Sequence, residues 1–160
     1  MYKLLLFTLL AVVWMMLQTL QIDEELAIRT LFASKQAVNR AAHAAAQQLD
    51  AAALADGIVR IDEPAAAAAA MTYLQANLLI DEAGEPLPGS RLREPVEVLA
   101  LEVVNAKEPF PYVYRNDAFD YEVTLERPGV VLIVRIRNSR TFTMLEPIEW
   151  QVKGAAETVY

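Results

Sequence analysis

Apolar side chains fill nearly every position from Leu4 to Leu17, and the chain stays uncharged as far as Ile22. At about 1.5 Å per residue, these 19 residues make a helix roughly 28 Å long, the thickness of a bilayer's hydrocarbon core. The run therefore predicts a membrane anchor over residues 1–25. Lys3 and the terminal amine precede it, and Asp23, Glu24 and Glu25 follow it. That asymmetry predicts a cytoplasmic N-terminus and an extracytoplasmic remainder. A cleaved signal peptide is the rival reading, because the strictly apolar part is short. However, neither TLQ nor QID offers the small residues that cleavage requires, so an uncleaved anchor is the better expectation.

From Leu26 to Leu54 there is no Gly or Pro, and apolar residues recur at three- to four-residue steps. The anchor and this stretch are expected to form one rod from Leu4 to about Asp50, ended near Gly57. Its alanine-rich side is expected to allow close approach of another element, as small faces do, although Ala is also simply a good helix former. Trp14, Ala37, Ala41, Ala45 and Ala52 are the candidate assembly interface on this rod. A second helix is expected over Glu63–Leu79, with Asp62 as N-cap and Pro64 in its first turn. Residues 26–80 thus read as a helical stalk and second helix. The segment Asp81 to Pro95, rich in Gly, Pro and charge, reads as a surface loop.

Beyond Pro95 the period changes to two. Phe119, Tyr121, Val123 and Leu125 alternate with Asp120, Glu122, Thr124 and Glu126, the pattern of a strand with one wet face. ERPG then supplies a turn, and Val130 to Ile136 is expected to return as the second strand of a hairpin. In that register Glu122 or Glu126 would pair with Arg135 or Arg137. Val96–Val104 and Ile148–Val152 are further strand candidates. FPYVY, Phe110 to Tyr114, reads as an edge strand or aromatic loop because Pro111 lacks a donor. The fold class expected is α+β: a long N-terminal helix, a second short helix and, over residues 81–160, an antiparallel sheet head of about four strands.

Composition narrows the chemistry. With 14 basic and 21 acidic side chains, the net charge of −7 gives no drive toward nucleic-acid phosphates. The absence of Cys excludes disulfides, thiolate metal sites and thiol catalysis. His43 is the only His, set among alanines, and reads as structural rather than as a ligand. No serine lies in a nucleophile motif, and no glycine pattern fits a phosphate-binding loop. Asp117, Asp120 and Glu122 lack the spacing of a calcium loop and read as solvated strand-edge charges. No cofactor, metal or catalytic residue is expected, and the chain is expected not to be an enzyme. Tyr112, Tyr114, Phe119 and Tyr121 are a candidate binding patch, although aromatics at strand spacing more often fill a sheet core.

The apolar leader, the run SKQAVNRAAHAAAQQLDAAALADG, the following RIDEPAAAAAAMTYLQANLLID and the hydrophobic C-terminal strands together resemble the TadE and TadG pseudopilin-like components of Tad (Flp) pilus machinery. The likeness covers most of the chain in architecture and rests on no catalytic or ligand motif. The Gly before the apolar run and the Glu at the fifth residue after it, which mark prepilins, are absent. The resemblance thus implies an uncleaved accessory component, minor-pilin-like rather than a major pilin, whose partners are the lipid bilayer and other pilus subunits in a homo- or hetero-oligomer. The competing expectation is a membrane-anchored extracytoplasmic module that binds a ligand or the cell wall.

Overall fold

A single helix, α1, runs from Tyr2 to Ala46 in the computed structural model, which describes residues 2–105, 109–140 and 146–159. Nothing in its sequence interrupts it. Thr8, Thr19 and Thr30 donate their hydroxyls to the carbonyls of Leu4, Met15 and Leu26, so these polar groups are satisfied within the helix. The rod stops four residues before the expected Asp50. Asp50 instead caps a separate short helix, α2 (Ala51–Ala55), by accepting from the amides of Ala52 and Ala53. Gly57, with φ of +76°, closes the turn after α2 rather than the rod.

Asp62 accepts from Ala65 N and starts α3 (Glu63–Leu78), which ends as Leu79 turns left-handed. The amide of Asp62 donates to Gln48 O near its start, and Asn77 near its end accepts from Arg40. The second helix therefore runs back along α1, antiparallel to it.

Strands β1 (Glu97–Val104), β4 (Gly129–Asn138) and β5 (Ile148–Glu157) form an antiparallel sheet in the order β1-β4-β5. Strands β2 (Tyr112–Asn116) and β3 (Tyr121–Leu125) form a separate hairpin joined by one 3-10 turn. The α+β class stands, with five strands in two sheets in place of about four in one. The expected hairpin across ERPG is not formed, since β3 pairs with β2 while β4 lies between β1 and β5. Accordingly Arg135 meets Glu97 and Glu149, Arg137 meets Glu149, and Glu122 faces Arg115.

This arrangement makes three layers. On one side of β4, Val130, Leu132, Val134 and Ile136 pack with Ala37, Val38, Ala41 and Ala45 of α1 and with Ala66, Ala70 and Leu74 of α3. On the other side, Val131 and Ile133 pack under the β2–β3 hairpin with Tyr114 and Leu125. Val130 to Val134 are buried without alternation, as a strand covered on both faces must be. The half of α1 expected to be a stalk is thus layered onto the sheet and shares its core.

Candidate functional site

The first candidate site is α1 itself. An 18-residue window of this helix is apolar enough to cross a membrane, and no residue of that window is buried by the rest of the chain. Trp14 lies there, 61% exposed, among Leu10, Val13 and Leu17, which are exposed too. The apolar side chains that a soluble helix would cover have no cover here.

The small residues have a different fate. Ala37, Ala41 and Ala45 are 2%, 0% and 0% exposed, enclosed by α3 and the sheet. The close approach expected of the alanine face therefore takes place within the chain, and these three positions offer no surface to another subunit. Ala52 is exposed, but it belongs to α2 and not to the rod. Outside the predicted span, the large apolar groups left open on α1 are Leu26, Ile28 and Phe32. Each is roughly half exposed or more. The hydrophobic–polar pattern misses this face because the buried and open sides are both rich in apolar residues.

The aromatic patch is mostly interior. Tyr114 is 4% exposed; its hydroxyl donates to Glu102 Oε1 at 2.7 Å and accepts from Asn116 Nδ2 at 3.2 Å. Its ring centroid stands 6.4 Å from that of Tyr121 in a tilted pair. Tyr112, Phe119 and Tyr121 are partly buried around it. Lys153 lies over the Tyr121 ring at 5.7 Å and donates to the carbonyls of Phe119 and Asp120, which ties the hairpin to β5. Burial raises the phenol pKa values of both Tyr114 and Tyr121 above the ordinary range, and for Tyr114 the carboxylate of Glu102 adds to the rise. Val113 is the open apolar residue of this hairpin.

His43 is exposed on α1, and Asp117 pairs with Arg115 at 2.7 Å. Among the described residues, no three His, Asp or Glu side chains come together to hold a metal ion.

A cavity of about 260 Å³ sits where α1 enters the head, lined by Asp23, Leu26, Arg29 and Thr30 of α1, by Arg91 and Arg93 of the loop, and by the end of β4. The spacing RLR within an otherwise turn-rich loop is its only sequence signal. Compared with protein families, curated proteins and solved structures, the chain matches none.

Proposed function

We propose that the chain is a non-enzymatic, single-pass membrane protein that serves as a structural or accessory, minor-pilin-like component of a Tad/Flp-type pilus or related secretion assembly. Its N-terminus is cytoplasmic and its α+β head extracytoplasmic, and in an assembled state the head forms part of a surface filament. The observation that carries this reading is the continuity of α1, uncovered over its apolar half and built into the head core over its alanine-rich half. Such a helix couples the bilayer rigidly to the head. A filament subunit needs that coupling, whereas a module that only binds a ligand works on a flexible tether.

Lateral contacts with other subunits then run through the open apolar side of α1, with Ile28 and Phe32 just above the span. Photocrosslinkers at these two positions, in native membranes, should capture pilin-like neighbours or second copies of the chain. Capture from Val113 alone would instead favour the extracytoplasmic binding module. Resistance of the full chain to alkaline extraction tests the anchor separately.

A further inference from the structure

The base of the head, where Asp23, Glu24 and Glu25 follow the apolar run, also gathers three arginines of a chain of net charge −7. Arg29, Arg91 and Arg93 line one cavity, with Asp23 buried at its edge as the acidic member. Arg29 is paired with Glu25. Arg91 and Arg93 form no ion pair among the described residues, in contrast to Arg60, Arg115, Arg135 and Arg137, each of which meets a carboxylate. Arg91 and Arg93 are exposed, and with Arg29 they present like charges to one cavity, which favours an anion there.

Position says which anion. The predicted span ends at Ile22, and Asp23 is the next residue. Arg29 lies seven residues on, about 10 Å along the helix axis, and its side chain is long enough to reach back toward the bilayer. With the span ending at Ile22, Asp23 and Leu26 fall within the headgroup layer, which extends roughly 5 to 8 Å beyond the hydrocarbon, and Arg29 falls just outside it. Leu26, also on its lining, adds an apolar wall between Asp23 and Arg29. Guanidinium forks match phosphate oxygens in pairs, and the cavity at about 260 Å³ admits a phosphate with its glycerol rather than a bulky polymer.

We propose that the cavity between Asp23 and Arg93 binds the phosphate of an anionic phospholipid headgroup, so that lipid fixes the tilt of the head on the membrane. The proposal rests on the membrane-anchor reading of α1. Bound lipid neutralises Arg91 and Arg93, and it joins α1 to the loop before β1 through a component of the bilayer itself.

The test uses the full chain in nanodiscs of phosphatidylcholine with or without phosphatidylglycerol, and native mass spectrometry to count lipids retained on the released protein. Wild type should retain phosphatidylglycerol in preference to phosphatidylcholine. The double variant Arg91→Gln/Arg93→Gln should lose that preference by about fivefold for each arginine removed, with an unchanged circular dichroism spectrum, while Arg115→Gln keeps it. Inorganic phosphate added to the same samples separates the two phosphate sources. If phosphate alone displaces the lipid, or if the double variant retains phosphatidylglycerol as wild type does, the proposal is overturned. A chain that never enters the nanodiscs would overturn the anchor reading, and the lipid site with it.

Discussion

Gly154 of β5 lies directly against Val38 of α1. A Cβ placed on Gly154 would stand 2.8 Å from Val38 Cγ1 and 3.1 Å from Asn39 Oδ1. Val38 is fully buried and β-branched, so it has little room to give way. Helix α1 is thus seated on the sheet through the missing side chain of one glycine. Gly154→Val should destabilise the head by about 1 to 3 kcal/mol, as overpacking commonly does. Thermal melts of the full chain in detergent would measure it, and an unchanged midpoint would mean that α1 is not seated there.

The alanine face makes a second, contrasting prediction. Ala41 and Ala45 have no exposed surface, whereas Ala52 is open on α2. Ala41→Leu and Ala45→Leu should each cost about 1 to 3 kcal/mol of stability in the isolated chain. Ala52→Leu should stay within about 0.5 kcal/mol, as surface changes usually do. If the first two variants melt like wild type and fail only in assembly, the alanines face a partner rather than their own core.

Much of this architecture is legible in the sequence. The uncharged run to Ile22 and the lack of Gly or Pro from Leu26 to Leu54 are enough to predict a long first helix, though not its end at Ala46, and Asp62 with Pro64 is enough to place the start of α3. Strand pairing is not legible. The ERPG turn looks like a hairpin, yet Glu126 N donates to Glu157 Oε1 and Thr158 N to Pro128 O, so the turn is held by the end of β5 while the chain passes from one layer to the next. The Arg91–Arg93 cavity is hidden for a related reason. Its walls come from α1, a loop and β4, which are brought together by tertiary packing alone.

Alkaline pH tests the hairpin. Burial raises the pKa values of Tyr114 and Tyr121 above their ordinary value of 10.0, so the folded state holds these protons more tightly than the unfolded chain does. Their contribution to stability is complete below about pH 10 and is lost as the pH climbs through the folded values. In a tyrosinate absorbance titration, Tyr114→Phe should remove a late-ionising step and flatten the alkaline fall in stability. At neutral pH it should cost about 0.5 to 1.5 kcal/mol through the lost bond to Glu102. A titration curve unchanged in shape would place the Tyr114 phenol in water.

Adjacent residues of β4 should be equally sensitive, which is the sharpest consequence of the three-layer arrangement. Leu132 points into the helical side of the core and Ile133 into the side covered by the β2–β3 hairpin, and neither has exposed surface. A strand with one wet face, as the expected pairing of Arg135 or Arg137 with Glu122 or Glu126 implied for β4, would tolerate truncation at every second position. With both faces covered, Leu132→Ala and Ile133→Ala should each destabilise the chain by about 2 to 5 kcal/mol, because each leaves a cavity in a separate cluster. On β3 the alternation does hold: Val123 packs against the second cluster and Thr124 is exposed. Thr124→Ala should therefore change stability by less than about 0.5 kcal/mol. Melts of the three variants in the full chain decide the matter. Loss at Leu132 with tolerance at Ile133 would mean that the hairpin does not cover the sheet, and the second layer of this core would have to be withdrawn.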